Sequence, residues 1–470
     1  MISTIILSSA ILVTHAPGWS DLIITEDMWS YISGQYKTLH VVGEDTLHQF
    51  WDSFNQESRV GYKVYLSDGT VIFPETMVSG DVWSGYSTAS LVGDSVAGFW
   101  RQGIPAWYCM RDSTGEEVLP ASLFQSDSYY NRANVEVASD SLGRIHAATV
   151  ISAGVLYTVT EPGIGEVRRD TVPGSQHETA GIQVDGNRVH IIYREGYATP
   201  MYVQYDLDGS ITIPAVTLTT GLLELYPLFS TTVDVNGDMW YFTPATRSYN
   251  YITLFKVDGE TGEVLISDQE VVTPGASKNY PTILPDPAEE KLYLMWIADD
   301  GNFNYWVYFA VIDTNGDFIE EPYPAYDYSD EEEQNIFVLE ATINEQGDIF
   351  AIWNAYYPEV HPNAYYIVMG WFDHNWLAIG EEEIETNVNP PSICSSCNPV
   401  TGSVSFTITG VSPNELEVYD LSGRLVVTVP VSSNAAAFWD GKDASGERLP
   451  CGVYRVSCGD VSTTVTLLGE

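Results

Sequence analysis

ETAGIQV (178–184), RVHIIYR (188–194), PMYVQYDL (200–207) and SITIPAVTL (210–218) follow one another with only Asp185-Gly186, Gly196 and Asp208-Gly209 as punctuation. Each run is short, rich in β-branched and aromatic residues, and bounded by turn formers, which is the signature of four strands joined as hairpins. The second run is the most apolar, and its phrase recurs along the chain: DTLHQFW (45–51), DSVAGFW (94–100), GRIHAATV (143–150), NRVHIIY (187–193), GDMWYFT (237–243), EKLYLMW (290–296) and GDIFAIW (347–353). The anchor aliphatics Leu47, Val96, Ile145, Val189, Met239, Leu292 and Ile349 are spaced by 49, 49, 44, 50, 53 and 57 residues. Self-similarity near 50 residues marks a radial or stacked architecture, because each unit can bury its apolar faces only against its neighbours.

An array of sandwiches needs about seven strands per core, and a β-helix shows coils of about 20 residues. Four strands per repeat and seven repeats match a seven-bladed β-propeller, with six blades as the alternative if a terminal repeat packs irregularly. The last repeat reads VLEATINE (338–345), DIFAIWN (348–354), YYIVMGWFD (365–373) and WLAIGEEE (376–383). In this architecture the second strand is covered on both faces, so consecutive apolar residues are expected there. Four positions after the anchors stand Trp51, Trp100, Thr149, Tyr193, Thr243, Trp296 and Trp353, rings suited to filling the space between blades.

Beyond Val388, through NPPSICSSCNP, the vocabulary changes. The chain therefore divides into a signal peptide (1–16), a lead-in (17–37), the propeller (38–388), a linker (389–399) and a small β-sandwich (400–470). The apolar run at 2–13 followed by Thr14-His15-Ala16 reads as a secretory signal, although no Lys or Arg precedes Lys37. No later segment approaches the roughly 20 apolar residues of a transmembrane helix.

Acidic residues outnumber basic ones 64 to 19, for a net charge of −45. Such a field repels phosphate backbones and anionic lipid headgroups, so nucleic acid is not an expected partner. Four of the five cysteines, Cys394, Cys397, Cys451 and Cys458, fall in the linker and the small C-terminal domain, where two disulfides are expected of an exported protein, with a zinc site as the rival. Cys109 reads as a buried small hydrophobe.

His48, His146 and His190 share one position of the repeat, but Ala97, Trp240, Tyr293 and Phe350 fill it elsewhere, so the slot reads as packing and not as a metal ring. DVNGD (234–238) and DTNGD (313–317) suggest calcium loops but lack the glycine at position six and the distal Glu of an EF-hand, and read as hairpin turns. No cofactor is expected, calcium being the one ion the acidic turns suggest. The pairs Asp68-Gly69, Asp208-Gly209, Asn236-Gly237 and Asn315-Gly316 supply the positive φ that tight hairpins need.

Polar residues at the ends of the second strands gather on one face of a propeller, where a ligand would meet them. The candidates are Asp52, Arg59, Arg101, Arg194, Glu195, Asp299, Asp300 and Tyr356. Paired carboxylates there suit glycosidic chemistry, and arginines suit a carboxylated ligand. No nucleophile elbow, zincin helix, phosphate loop or dinucleotide fingerprint is present in the sequence, so no catalytic residue is assigned.

LEVYDLSGRLV (416–426) and FWDGKDASGERLPCGVYRV (438–456) resemble the C-terminal sorting domain of type IX secretion cargo, and equally the related immunoglobulin-like domain of flagellar hook-capping proteins. Asp420, Gly423 and Arg424 match that family's turn, Trp439 and Gly441 its following hairpin, and Gly452 with Tyr454 its penultimate strand. The resemblance implies contact with a secretion machinery and a secreted or cell-surface destination. The blades resemble, in cadence only, sialidase-like repeats of secreted bacterial proteins. The reading that follows is a non-catalytic propeller for glycan or protein ligands, with a glycoside hydrolase or lyase as the alternative and a structural surface-layer component as a second one.

Overall fold

The computed structural model describes residues 14–20, 22–28, 37–53, 59–80, 84–102, 105–125, 135–151, 154–172, 180–195, 199–219, 229–245, 251–271, 277–299, 304–328, 336–356, 365–374, 392–395, 403–409, 415–420, 424–431, 436–458 and 461–467. The chain forms two compact units, Met1–Trp376 and Leu377–Glu470.

Among the described residues the first unit holds seven antiparallel sheets, numbered here in chain order by their innermost strands. Sheet 1 runs Lys37–Val42, Thr46–Ser53, Arg59–Leu66, Val71–Met77, and sheet 4 runs Ala180–Asp185, Arg188–Glu195, Thr199–Asp206, Ile211–Thr217. Sheets 2, 3 and 5 follow the same order, beginning at Ser84–Val92, Val135–Ser139 and Ser230–Val233.

Sheets 6 and 7 depart from that order. The two-residue strand Thr14–His15 extends the outer edge of sheet 6, which begins at Ser277–Pro285. In sheet 7, which begins at Ile336–Ile343, the outer position is filled by Ile23–Met28, paired with Tyr365–Phe372. The segment read as a lead-in thus supplies a strand, while WLAIGEEE, expected in that place, lies outside the described residues.

Shared apolar clusters join neighbouring sheets in succession. Phe50 and Tyr62 meet Val96 and Trp100 between sheets 1 and 2, and comparable clusters link 2 to 3, 3 to 4, 4 to 5 and 5 to 6. Sheet 6 meets sheet 7 where Trp353 Nε1 donates to Tyr328 Oη at 2.8 Å and Tyr326 packs on Trp353. Leu39, Leu47 and Trp51 pack with Phe350, Ile352 and Met369, which brings sheet 7 back to sheet 1 and closes a propeller-like ring. All seven residues four positions after the anchors are buried, as the repeat predicts. Gly98 faces the Phe50 ring so closely that a Cβ there would overlap it.

The turn chemistry is equally regular. Gly69, Gly209, Gly237 and Gly316 have φ of 83°, 79°, 79° and 90°, the left-handed values expected of their positions. Asp234 Oδ1 accepts from the backbone N–H of Asn236 and Asp238, and Asp313 Oδ1 from those of Asn315 and Asp317. These carboxylates cap their own turns, which accounts for the DxNGD pattern without an ion.

The second unit is a two-sheet sandwich, with Ser392–Ser395, Val404–Thr409 and Ala436–Trp439 facing a sheet ordered Leu425–Pro430, Glu415–Tyr419, Gly452–Cys458, Val461–Leu467. Ser392–Ser395 lies within the segment read as a linker. The motif residues shape this core: Trp439 and Tyr454 are buried edge to face at 5.5 Å, Tyr454 Oη donates to the Pro450 carbonyl at 2.7 Å, and Arg424 Nε donates to Asp420 at 3.0 Å. Gly441 holds φ of 73°, Gly452 opens its strand, and Gly423 lies outside the described residues. The disulfide expectation is not met at Cys451, a free and exposed thiol. Cys394 and Cys458 sit on strands with side chains outside the described set, as does the whole of Cys397.

Candidate functional site

First strands line the axis of the ring, and all seven contribute to one central cavity of about 500 Å³. Opposite the third residue after each anchor, at one height, the inner strands place Thr38, Thr88, Glu136, Ser230, Thr282 and Glu340 along the cavity wall, with Gly181 completing the register. Two residues nearer the anchor stand His40 and Gln183. The polar side chains of the wall are therefore mostly hydroxyls, with one amide, two carboxyls and one imidazole, interleaved with apolar residues such as Leu39, Val137 and Ile283, and neither Lys nor Arg occurs among its described lining residues.

Enclosure sets the ionisation of this wall. Burial, then the charge of Glu340 across the cavity, push the Glu136 carboxyl up to about 8, so it is protonated at neutral pH. Burial holds His40 down to about 4, so its ring is neutral there. A carboxylic acid that stays neutral at pH 7 can donate a hydrogen bond, a capacity an ionised one lacks.

The candidates chosen from the second strands lie elsewhere. Asp52, Arg101 and Arg194 all fall five positions after their anchors, as does Asn354 at the equivalent strand end, but none lines the cavity. Asp52 is 1% exposed and accepts the Ser87 N–H of sheet 2 at 3.1 Å, so it ties two sheets together. Arg194, 3% exposed, lies near Tyr241 of sheet 5, where burial raises the phenol and the guanidinium opposes that rise. Arg59, Arg101 and Asp299 are part-buried and Glu195 is exposed. Asp300 lies outside the described residues, as does the side chain of Tyr356, which belongs to the strand Ile349–Tyr356. Among the described residues, none of these candidates lines the central cavity.

The repeated histidines behave as packing groups. His48, His146 and His190 are fully buried, and each Nδ1 is hydrogen-bonded to a tyrosine hydroxyl of the adjoining strand, Tyr62, Tyr157 and Tyr202, at 2.8, 2.8 and 2.9 Å. In other sheets the same slot holds Trp240, whose Nε1 donates to Asp234 at 2.8 Å, and Tyr293, whose Oη donates to Asp286 at 2.6 Å. Cys109 is likewise buried, its thiol pushed up to about 11.

Among the described residues, one group brings three metal-ligating atoms within 4.8 Å of one another: Asp348, Asp373 and His374. Asp348 Oδ1 already meets His374 Nδ1 at 2.8 Å and the His374 N–H at 3.2 Å, so the group is a hydrogen-bonded pair with a carboxylate beside it.

Glu136, Glu340 and His40 escaped the sequence reading. Each is one polar residue among others in a short strand (VEVAS, FVLEATI, KTLHVV), indistinguishable there from a solvent-facing position. The one available signal was their place on first strands, which in a propeller face the axis.

Comparison with known proteins bears on both units. Residues 397–463 match the FlgD Ig-like domain. No curated protein matches the chain in sequence. Among solved structures, the chain is similar to an ulvan lyase of polysaccharide lyase family 25 bound to a -[GlcA(1-4)Rha3S]- unit, at 9% identity and TM-score 0.50, covering 74% of this chain and 95% of that one. It is also similar to a fungal alcohol oxidase of the AA5 family in complex with copper, at 10% identity and TM-score 0.49, covering 96% and 99%. A subtype N10 neuraminidase-like protein of A/little yellow-shouldered bat matches at 8% identity and TM-score 0.41, covering 62% and 94%. At these identities the likeness is one of fold.

Proposed function

We propose that this chain is a secreted or cell-surface seven-bladed β-propeller that binds a glycan or protein ligand without chemically altering it. Its C-terminal immunoglobulin-like domain would direct export by a type IX-like route. The observation that carries the binding reading is the central cavity. It is large enough for one or two sugar rings or a short side-chain segment, walled by hydroxyl and amide groups on rigid strands, and framed by all seven sheets. Hydroxyl and amide walls exchange hydrogen bonds with a polar ligand at little desolvation loss.

The test is to incubate the protein with a broad glycan and peptide panel and to record retained and cleaved species by mass spectrometry. Retention of uncleaved ligand is expected, and turnover of any defined member that vanishes in a single-residue variant would replace this reading. The sorting role is tested separately. Deleting residues 400–470 should leave the propeller in the periplasm, and normal release without them contradicts the route.

One observation favours a second reading, a glycoside hydrolase or lyase. Glu136, neutral up to about pH 8, faces Glu340 across the cavity, and a protonated carboxyl opposite a second carboxyl is the pairing that glycosidic bond cleavage uses. On that reading Glu136→Gln abolishes cleavage and leaves retention in place.

A further inference from the structure

The cavity wall is chemically one-sided. Its titratable groups are His40, Glu136 and Glu340, from sheets 1, 3 and 7, and the remaining four inner strands contribute none among the described lining residues. Neutral hydroxyl and amide groups surround them, Thr38, Thr88, Ser230, Thr282 and Gln183 among them. Such a wall has no cation for a uronate, sulfate or phosphate, and the net charge of −45 repels all three before they arrive.

A bare metal ion fits poorly as well. Calcium takes six to eight oxygens at about 2.3–2.6 Å. His40, Glu136 and Glu340 are not among the described residues whose ligating atoms converge within 4.8 Å; that closeness belongs to Asp348, Asp373 and His374. A cation carried on a larger hydroxylated body satisfies both features of the wall at once.

We propose that the central cavity binds an amino sugar, its ammonium group against Glu136 in the field of Glu340 and its hydroxyls on the surrounding threonine and serine side chains. This rests on the binding reading above and names the ligand class for the same site. Because the Glu136 carboxyl is protonated below about pH 8, an arriving ammonium forms its ion pair only as that proton leaves. The carboxyl loses H⁺ to solvent, the ligand keeps its own proton, and charge is conserved. His40, neutral above about pH 4, takes no part in that exchange near neutrality. One proton released per ligand bound means that affinity rises about tenfold per pH unit between about pH 5.5 and 7.

The experiment is calorimetric titration of the full chain at pH 6.5, in two buffers of different ionisation enthalpy, with a glucosamine disaccharide, its N-acetylated counterpart and 1,5-diaminopentane. The amino disaccharide is expected to bind at least tenfold tighter than the N-acetylated one, with about one proton released. Glu136→Gln, nearly isosteric with the neutral acid, should erase both the preference and the proton release while its thermal melt stays at the wild-type value. A second measurement keeps the assignment testable if that variant folds poorly. The Glu136 carboxyl signal in ¹³C NMR should titrate near pH 8 in the wild type and at lower pH in Glu340→Gln.

Equal affinity for the two disaccharides, or binding with no proton released, overturns the amino-sugar assignment and leaves the glycan reading standing. Equal, proton-linked binding of the diamine overturns the sugar part. Failure of every saccharide to bind removes the glycan reading itself.

Discussion

At the scale of single residues, burial decides chemistry more than residue type does. Three histidines at one repeat position invite a metal ring, yet the sequence itself argues against one, since Ala97 and Phe350 fill the equivalent slot. The structure gives each of them a tyrosine partner and no exposure. Burial holds His48 and His190 down to about 4 in the folded protein, below the unfolded value of 6.5. The unfolded chain therefore takes up protons first as pH falls. The stability contributed by the neutral rings is complete above pH 6.5 and is lost progressively toward pH 4. At pH 5 each ring costs about 2 kcal/mol relative to pH 7. Urea midpoints measured at the two pH values should show the drop, and His190→Phe should make it shallower.

Glu136 illustrates the opposite case, invisible in sequence because one polar residue in VEVAS has the look of an ordinary exposed position. Gly98 makes a sharper test of packing at this scale. Gly98→Ala forces a methyl group into the Phe50 ring between sheets 1 and 2, and overpacking of this kind typically costs about 1–3 kcal/mol, read as a lowered denaturant midpoint with an unchanged m-value.

Elements were legible in proportion to how completely neighbours cover them. Second strands, covered on both faces, write their burial into consecutive apolar letters, so all seven anchors fell on observed second strands. Outer strands alternate weakly, and nothing local in ITEDM signals that Ile23–Met28 belongs beside a strand more than 300 residues away. Ring closure by that strand implies that deleting residues 14–28 should leave sheet 7 with an open edge. The expected result is loss of a single cooperative thermal transition, or a large fall in its midpoint, while a deletion confined to 14–16 should have a much smaller effect.

Polar links between adjacent sheets escaped the sequence for a related reason, since their partners are distant backbone carbonyls. Lys256 of sheet 5 is a buried, charged example: its Nζ donates to the Thr314 carbonyl of the next sheet at 2.6 Å and meets Asp238 at 2.8 Å and Asp234 at 3.3 Å. Lys256→Met strands two carboxylates without their cation, and breaking a buried pair in this way costs about 3–5 kcal/mol. Lys256→Met combined with Asp238→Asn should recover part of that loss, measured by chemical denaturation.

Over the whole molecule, a repeat period near 50 residues settled the class of architecture from sequence. The central cavity did not follow, because it exists only once seven first strands, drawn from across the chain, converge on one axis. Net charge is a property of this scale too. Mutual repulsion among 64 acidic groups is screened as ionic strength rises from about 0.02 M, where the screening length is roughly 20 Å, to about 0.5 M, where it is below about 5 Å. The melting temperature is therefore expected to climb with sodium chloride, and to climb equally with potassium chloride if screening and not a bound ion is responsible.

If ligand enters the axial cavity, hydroxyl-radical footprinting of the protein with and without a retained glycan should register it there. Protection is expected for the inner-strand peptides bearing Thr38, Thr88, Glu136 and Thr282, with no change at exposed Ile164, in the turn before the outer strand of sheet 3, or at exposed Ile319 on the strand Phe318–Asp327. Protection confined to the outer strands, or to residues 403–467, with the inner strands unaffected, would contradict it.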